Sequence, residues 1–325
     1  MRPFLRAALI ACLGVPFPTA ILAQSQSYPV RPVRVLLGYT SGGTADFVGR
    51  LLAEKLARSF GQPVIFENRP GASGNIAAQL AVNAAPDGYT LLMGAPAEIA
   101  INRHAMKNMG FNPETGLTPI ALAFDVPFGL LVPGKSSFLS LGDLIAKARS
   151  EPGKISFANS GIGSPAHMAG EILAMNAKIV VTQVPYKGGA PAMTDLIAGR
   201  VDAYFLGIPG AMPHVKNGNV RVIGVSTPKR SGIAPDIPTL IELGIPDFSF
   251  SLWAGFFAPA GTPADIIARL NREIMQAFSQ PDVQEKLAIA GSDVIRTTPE
   301  EFGRFVQAES LKYADIVKRI NYKAE

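Results

Sequence analysis

Residues 33–60 read VRVLLGYTSGGTADFVGRLLAEKLARSF, so that an apolar run, a glycine-rich loop and a helical pattern follow one another directly. Val33–Leu37 is short and rich in branched apolar side chains, which predicts a buried strand. From Asp46 to Phe60 the apolar residues recur at helical spacing, and Gly61 and Pro63 then end the helix. A strand that leaves through a loop into a helix is the repeating unit of α/β folds.

This alternation continues along most of the chain. Two helix starts carry capping signals, Ser140 with Asp143 and Thr298 with Glu301. The succession predicts an α/β fold with largely parallel sheets, and a helix-rich tail from Thr262 onward that packs back on the first sheet. The further predicted strands are Val64–Phe66, Tyr89–Met93, Phe128–Val132, Ile155–Ala158, Ile179–Val184, Ala203–Leu206 and Val220–Val225.

Length and composition limit the class of protein. The 325 residues suit two domains or one large one, and 48% hydrophobic against 17% charged residues excludes a disordered chain. The net charge of +5 comes from 30 basic and 25 acidic residues, and the basic residues are scattered singly without interleaved aromatic residues. We therefore expect no nucleic-acid partner. No repeat at a fixed period is present in the sequence, which argues against a solenoid.

The first 23 residues have the layout of a secretory signal peptide. Arg2 and Arg6 form a short basic region, an apolar stretch runs from Ala7 to Ala23, and Gln24 follows. We predict a signal peptide over residues 1–23 with cleavage after Ala23, with Ala20 as the second choice. A membrane anchor is the alternative, which is disfavoured because two prolines interrupt a run shorter than about 20 apolar residues. We therefore expect export to the periplasm.

The one cysteine, Cys12, lies inside this N-terminal segment. Leu9-Ile10-Ala11-Cys12 resembles a lipoprotein cleavage box, so lipidation of Cys12 stays an alternative. Cleavage after Ala23 would leave a mature chain without thiols, and therefore without disulfides or Cys-ligated metals.

Three loops of small residues share one design, because each leaves a predicted strand and enters a helix. They are Gly38–Asp46, Asn159–Pro165 and Pro185–Pro191. Pro165 and Pro191 suit the first helical position, which puts the helix N-termini directly after the glycines. Unpaired N–H groups and the positive end of the helix dipole make such points anion sites, and hydroxyls add donors. For any one loop a purely structural turn is an equal alternative, but three together favour a shared anion pocket.

Enzymatic and nucleotide-binding patterns are incomplete. Gly161-Ile162-Gly163 lacks the third glycine of the dinucleotide fingerprint, and no phosphate-loop lysine follows any glycine loop. His104, His167 and His214 lie far apart without metal-ligand spacing. Ser164 and His167 lie close together at a helix start, but the nucleophile elbow is absent, so a Ser/His hydrolase is a weaker alternative. We predict no catalytic residue, no metal site and no cofactor.

Short motifs spread over the mature chain resemble one family of binding proteins. The motifs are Tyr28-Pro29 through Arg34, Gly42-Gly43 with Asp46, Gly61-Gln62-Pro63-Val64, Glu67-Asn68-Arg69-Pro70-Gly71-Ala72, Gly74-Asn75, Ala85-Pro86-Asp87-Gly88-Tyr89, Ser160-Gly161 with Gly163 and His167, Val184-Pro185-Tyr186-Lys187-Gly188, Ala258-Pro259-Ala260-Gly261-Thr262-Pro263 and Thr298-Pro299-Glu300-Glu301-Phe302. Together they are similar to those of the Bug-type solute receptors, the periplasmic binding proteins of tripartite tricarboxylate transporters. The resemblance covers essentially the whole mature chain.

The resemblance implies a two-lobed Venus-flytrap fold, of the type II-like periplasmic binding protein class, with the ligand in a cleft between the lobes. Lobe 1 would combine residues 28–125 with residues 251–325, and lobe 2 would be residues 126–250. The implied function is that of a non-enzymatic, monomeric receptor for a small organic carboxylate, which delivers it to the membrane permease subunits of the transporter. A receptor that presents its liganded form to a signalling partner is the alternative.

The resemblance also implies that the first glycine loop and the Gly-x-Gly-Ser/Thr loop hold the ligand carboxylate, often through ordered water. This agrees with the anion-loop argument. Asp46 is predicted either to contact a ligand ammonium or hydroxyl, or only to favour the first helical turn. The predicted ligand-binding residues are Tyr39, Thr40, Gly42, Gly43, Ala45, Asp46, Ala95, Ser160, Gly163, Ser164 and Gly188.

The sequence departs from the family pattern in three places. Thr40 and Ser41 replace the middle residues of a loop that usually has proline or alanine there. Ala95-Pro96-Ala97-Glu98 stands where hydroxyl residues are common, and Leu206-Gly207-Ile208 stands where an acidic or hydroxyl residue is common. We therefore expect a less polar distal pocket, in which Glu98 opposes any second carboxylate of the ligand.

Overall fold

Strand β1, Val33–Leu37, forms where the sequence predicts it and lies near one end of a mixed sheet of nine strands. The computed structural model describes residues 28–161, 163–186, 189–292, 294–319 and 321–323. The predicted signal peptide with Cys12, and the predicted site residue Gly188, lie outside the described residues.

The remaining strands alternate with helices over most of the chain. The strands after β1 are β2 Val64–Asn68, β3 Thr90–Gly94, β4 Leu117–Pro133, β5 Ser156–Asn159, β6 Thr182–Pro185, β7 Ala203–Gly207, β8 Val220–Val225 and β9 Ser251–Pro259. The helices are α1 Thr44–Phe60, α2 Asn75–Val82, α3 Asn102–Ala105, α4 Pro113–Gly116, α5 Leu141–Ser150, α6 Pro165–Ala177, α7 Gly189–Ile197, α8 Ile208–Lys216, α9 Ala264–Phe278, α10 Pro281–Ala290 and α11 Pro299–Arg319. The fold is therefore mixed α/β, as predicted.

The sheet is parallel at its two ends and antiparallel in its centre. Its strand order is β2-β1-β3-β9-β4-β7-β5-β6, with β8 paired to β4. Strand β1 is parallel to β2 and β3, and β5 is parallel to β6 and β7. The pairs of β9 with β3, and of β4 with β9, β7 and β8, are antiparallel. The expectation of largely parallel sheets is therefore wrong for the centre, because β4 and β9 cross the molecule side by side in opposite directions.

These two central strands are longer than the sequence indicates. The prediction has only Phe128–Val132 of β4 and does not include β9. Pro119 and Pro127 interrupt the apolar pattern of β4, and its pairing with β9 shifts register near Pro119 and again between Leu122 and Phe124. Such bulges break the two-residue periodicity by which a strand is recognised in a sequence.

Both faces of β1 are covered, which explains its nearly continuous apolar sequence. Val33, Val35 and Leu37 belong to a buried cluster that includes side chains of α1 and α9. Leu36 faces the other side and belongs to a second buried cluster with alanines of α2. Arg34 is the exception, and its guanidinium pairs with the carboxylate of Glu67 on β2 at 2.9 Å.

Most predicted helix ends agree with the structure. The capping box of Ser140 with Asp143 is present at α5, and Thr298 and Glu301 bond reciprocally at α11. Ser164 caps α6 with Pro165 in its first turn. Helix α7, however, begins at Gly189, so Pro191 is its third residue and not its first.

Two glycines allow close approach between distant elements. At the C-terminal end of α10, Gly291 has a φ of +80° and lies so close to Pro209 of α8 that a Cβ would overlap the proline ring. On β9, a Cβ at Gly255 would overlap the ring of Phe302 on α11. Within the described residues, no helix is both long and apolar enough to cross a bilayer.

We predict that Phe302→Ala destabilises the fold by about 3–5 kcal/mol, because it leaves a cavity where α11 packs on β9. Phe302 is fully buried and its ring lies 5.1 Å from that of Phe257 and 6.2 Å from that of Trp253, centroid to centroid. Leu311 lies on the same helix and is 67% exposed, so Leu311→Ala is the matched control with an effect below about 0.5 kcal/mol. Urea unfolding measures both, and equal effects would contradict the prediction.

Candidate functional site

A cavity of about 410 Å³ lies where the loops after β1, β3 and β5 meet the crossing strands and helix α11. No lining residue carries a charged side chain within the described part of the chain. The lining residues are Tyr39, Thr40, Gly43, Thr44, Ala45, Ser73, Ala95, Pro96, Ala97, Ile101, Asn102, Phe124, Ser160, Gly161, Gly163, Ser164, Pro165, Phe250, Ser251, Leu252, Trp253, Tyr313 and Tyr322.

The first glycine loop faces this cavity with the N-terminus of α1. Gly43 is the N-cap and has no side chain to bond the first helical N–H groups. Those N–H groups and the positive end of the helix dipole favour a negative ligand group at this point. Thr40 and Thr44 line the cavity beside them and add hydroxyl donors.

Asp46 is buried and holds the first loop in shape. Its carboxylate accepts hydrogen bonds from the Gly42 N–H at 3.1 Å, from Arg50 at 3.0 Å and from Asn68 at 2.9 Å. Burial opposes ionisation, but these hydrogen bonds together lower the pKa of Asp46 below its usual value. Neither Asp46 nor Gly42 lines the cavity. Their predicted contact with ligand stays a prediction, and the geometry favours the structural alternative.

The second loop faces the cavity with Ser160, Gly163 and Ser164. Its own backbone N–H groups are partly used inside the loop, since Gly161 donates to Asn159 at 3.1 Å and Gly163 donates to the Nδ1 of His167 at 3.2 Å. The left-handed φ values of these glycines, +127° and +78°, make this turn possible. The serine hydroxyls are therefore the main donors that the second loop can offer to a ligand.

Ser164 and His167 do not form a nucleophile–base pair. The Ser164 hydroxyl oxygen accepts from the backbone N–H of His167 at 3.3 Å, which is a helix cap. The imidazole Nδ1 is already bonded to the backbone of Gly163, and burial lowers the pKa of His167. The His167 imidazole therefore stabilises the loop and is not placed to act as a base toward Ser164.

Glu98 is fully buried behind the cavity and does not line it. Its carboxyl oxygens accept hydrogen bonds from the Tyr39 hydroxyl at 2.6 Å and from the Ala95 N–H at 2.8 Å. Tyr39 and Ala95 both line the cavity, so Glu98 fixes the two residues that separate it from a ligand. Glu98 therefore does not face a second ligand carboxylate directly, contrary to the expectation from the sequence.

Four aromatic residues lie beside the cavity, and we call them the aromatic wall: Phe124 on β4, Phe250 just before β9, Trp253 on β9 and Tyr313 on α11. All four side chains are almost completely buried. The position of these four residues beside the cavity is not predicted from the sequence. The only signal was the prediction that the chain crosses between lobes near residues 125 and 251, since residues at a crossing lie next to the cleft. Nothing in the sequence pointed to Tyr313 or to Tyr322.

A buried ionic cluster supports this wall from behind. The Trp253 indole N–H donates to Glu309 at 2.9 Å, and Lys312 pairs with the other oxygen of Glu309 and bonds the Ser249 carbonyl. Asp125 lies nearby, and burial raises its pKa to about 6, with the neighbouring Glu309 acting in the same direction. The cluster fixes the indole ring and keeps its charges off the cavity surface.

Comparison with known proteins gives the family. A model described as the tripartite tricarboxylate transporter family receptor matches residues 48–322. The chain belongs to this family. The predicted resemblance is thus confirmed, and the fold and family are those of solute-binding receptors.

Individual relatives are similar over nearly their whole length. The protein BugT of Bordetella pertussis is 34% identical over 319 residues, which cover 97% of this chain and 98% of BugT. An R. palustris protein solved with adipate is 34% identical with a TM-score of 0.77, covering 90% of this chain and 97% of that one. MatC from Rhodopseudomonas palustris with bound malate is 33% identical with a TM-score of 0.75, covering 89% and 100%.

We predict that Ser164→Ala weakens carboxylate binding about ten- to a hundredfold, because one hydrogen bond to a charged group is lost. It should also cost about 1 kcal/mol of stability, because Ser164 caps α6. Ser140→Ala is the matched control, since Ser140 caps α5 but does not line the cavity. Calorimetric titration and melting are measured on both variants. A Ser164→Ala protein that melts lower but binds as tightly as wild type would make Ser164 a cap only.

We predict that Glu98 makes the protein less stable as the pH rises from 4.5 to 7. Burial raises the pKa of Glu98 from its ordinary 4.5 to about 7. In this interval the unfolded chain has released a proton that the folded chain retains, so the free energy of unfolding falls by up to about 3 kcal/mol. Below pH 4.5 both states are protonated, and the penalty is absent.

The variant Glu98→Gln tests this, because glutamine cannot ionise. Its stability should fall less than that of the wild type between pH 4.5 and pH 7, as measured by urea unfolding. Glu54→Gln removes a carboxylate at an exposed position and controls for the loss of one negative charge. Parallel pH profiles for wild type and Glu98→Gln would contradict the prediction.

Proposed function

We propose that this protein is an extracytoplasmic receptor that binds a small organic carboxylate and delivers it to a tripartite tricarboxylate-type transporter. The observation that carries the proposal is the cavity of about 410 Å³, whose polar rim comes from two loops that each enter a helix. Family membership supports the receptor role, and relatives solved with adipate and malate support a carboxylate ligand.

In the proposed mechanism, uncharged groups of the protein bind the negatively charged carboxylate of the ligand. The ligand carboxylate sits at the N-terminus of α1 and accepts hydrogen bonds from backbone N–H groups and from the hydroxyls of Thr40, Ser160 and Ser164. Micromolar binding needs about −8 kcal/mol. Three or four hydrogen bonds to a charged group, at roughly 1.5–3 kcal/mol each, are sufficient after the costs of ordering.

We further propose that the chain forms two lobes, which close over the ligand. Residues 28–125 with residues 251–325 form lobe 1, and residues 126–250 form lobe 2. The crossing strands β4 and β9 are the two connections, and their pairing between Asp125 and Trp253 supports a hinge there. Lining residues from both proposed lobes, such as Thr40 and Ser164, support a ligand that is enclosed when the lobes close.

We predict that ligand binding reduces the radius of gyration of the exported protein, because the lobes close over the cavity. Small-angle X-ray scattering with and without a saturating carboxylate measures the change. A carboxylate that gives no thermal shift is the control and should leave the scattering curve unchanged. Identical curves for the free and the saturated protein would count against closure.

Export and partners complete the proposal. We propose a periplasmic monomer released by cleavage after Ala23, with permease subunits as its partners. We predict that the periplasmic protein has an intact mass that lacks residues 1–23 and is free of lipid, because the apolar segment is a cleaved signal. Mass spectrometry of a periplasmic extract measures it. A retained N-terminus or a lipid on Cys12 would contradict the prediction.

Two alternatives lead to different outcomes. A signalling receptor would bind the same ligand but use a sensor as partner, which pull-down with the liganded form distinguishes from a permease. A Ser/His hydrolase would turn over esters, but the hydrogen bonds of Ser164 and His167 to the backbone do not favour it.

The test of the function is a thermal-shift screen of the exported protein against mono-, di- and tricarboxylates, amino acids and aromatic acids. We expect at least one carboxylate to stabilise the protein, by about 2.7 kcal/mol at a concentration of 100 times its Kd. The methyl ester of the same acid is the matched control, because it has the shape but lacks the charge. Equal stabilisation by the ester, or no response to any acid, would contradict the proposal.

A further inference from the structure

Tyr313 on α11 carries a polar group that makes no hydrogen bond with the described part of the protein. Its side chain is fully buried, and its hydroxyl oxygen has no hydrogen-bond partner among the described residues. Tyr313 also lines the cavity of about 410 Å³. In the described ranges, the other buried side-chain atoms without a hydrogen bond lie outside that lining. They belong to Asp125, Gln183, Arg269 and Arg103, and Arg103 forms an ion pair with Glu114.

The hydroxyl of Tyr313 does not stabilise the fold through any described contact. A buried hydroxyl that loses water without gaining another hydrogen bond destabilises the folded state, and folded proteins contain few such groups. Phenylalanine would fill the same space beside Phe250, whose ring lies 6.4 Å from that of Tyr313 between centroids. A ligand in the cavity that Tyr313 lines offers the hydrogen-bond partner that the described residues do not.

Toward a ligand, this hydroxyl acts as a donor. Burial raises the pKa of Tyr313 well above its usual value, and the carboxyl groups of Glu309 and Asp125 act in the same direction. The phenol is therefore protonated at neutral pH and can donate to an oxygen atom that has a free lone pair. Asp125 is the alternative partner for this hydroxyl, since its own Oδ1 is buried without a hydrogen bond to the described residues.

The first carboxylate of the ligand has a better place elsewhere in the cavity. The N-terminus of α1 offers unpaired N–H groups and the positive end of a helix dipole, whereas the acidic groups of Asp125 and Glu309 lie near Tyr313. Ser251 on β9 also lines the cavity on this side and adds another hydroxyl. The Tyr313 hydroxyl is therefore available to a part of the ligand other than that carboxylate.

We propose that Tyr313 is a specificity-determining residue, whose hydroxyl donates a hydrogen bond to a second oxygen-bearing group of the ligand. The proposal rests on the proposed function and adds the residue that selects among acids. The ligand class is a small carboxylic acid that also carries a hydroxyl, carbonyl or carboxyl oxygen, in preference to an acid with a plain hydrocarbon end. The cavity volume of about 410 Å³ is toward the small end of ligand pockets, which span about 300–1,000 Å³, and suits such a compact acid.

The test compares acids of similar size that differ at the far end. We pair 4-hydroxybutyrate with pentanoate and 6-hydroxyhexanoate with heptanoate, so that a methyl group replaces a hydroxyl of nearly the same size. Succinate and adipate extend the two pairs to ligands whose second group is a carboxylate. Calorimetric titration gives the Kd values. At one chain length at least, we expect the wild type to bind an oxygen-bearing acid about tenfold more tightly than the acid with a methyl end.

The variant Tyr313→Phe removes only the hydroxyl. We expect the preference for the oxygen-bearing acid to fall about tenfold, whereas pentanoate and heptanoate bind as they do to the wild type. The variant should melt at the wild-type temperature or higher, because a buried unpaired group is removed. Tyr28→Phe is the matched control, since Tyr28 lies outside the cavity and its hydroxyl donates to the Gly88 carbonyl at 2.6 Å. This control should melt lower and keep the wild-type preference.

The outcomes separate this proposal from the function on which it rests. A Tyr313→Phe protein that does not fold, or melts below the wild type, assigns the hydroxyl to the fold with Asp125 as its partner and overturns the proposal. A folded variant that keeps the wild-type preference, equal weakening of all acids, or a wild type without any preference overturns it as well. All these results leave the carboxylate receptor standing. No binding by any acid, malate and citrate included, overturns the receptor function too.

Discussion

The antiparallel pairing of β4 with β9 is the constraint on which the rest of the molecule depends. It extends from Leu117 opposite Pro259 to Pro127 opposite Ser251. Beyond this pair, β9 continues the sheet toward β3, and the second half of β4 continues it toward β7 and β8. The same strands place Phe124, Ser251 and Trp253 beside the cavity. Main-chain hydrogen bonds therefore hold one side of the site, whereas loops form the other side.

The electrostatics of the site follow from where the carboxylates are held. Asp46, Glu98 and Glu309 lie close to the uncharged cavity. In each case, groups outside the lining compensate the negative charge, or burial keeps the carboxyl group protonated. Arg50 and Asn68 bond Asp46, Lys312 pairs with Glu309, and burial with a raised pKa keeps Glu98 protonated over part of the physiological pH range. For the proposed carboxylate ligand, recognition is consequently left to backbone N–H groups and hydroxyls, which are individually weaker partners than a guanidinium.

Much of the fold could be predicted from the sequence, because the residues that begin and end its strands and helices lie within a few positions of them. Val33–Leu37 and Val220–Val225 have the predicted bounds, since a turn signal ends each run. The loop before α6 is predicted with its cap because Gly163, Ser164 and Pro165 act within a few residues. The first half of β4 could not be found, since prolines and bulges hide its periodicity.

The site, too, has a part that could be predicted from the sequence and a part that could not. The loop residues that line the cavity are identifiable from glycines that precede helices, although sequence alone cannot tell a ligand contact from a structural one, as Asp46 illustrates. The aromatic wall could not be predicted, because Phe124, Trp253 and Tyr313 are brought together only by the crossing strands and the return of α11. Their proximity is a property of the topology, which no short stretch of sequence encodes.

The contact between Gly291 and Pro209 has a mechanical consequence. Gly291 follows α10 and Pro209 lies in the first turn of α8, and neither group has a rotatable side chain that could yield. Residue 292, next to Gly291, is in turn bonded to the backbone N–H of Asp125 on β4. In the proposed closure, this contact beside β4 and β9 keeps Gly291 and Pro209 at a fixed separation. It opposes further approach of the two proposed lobes at this point, so that the proposed closure has to pivot about it.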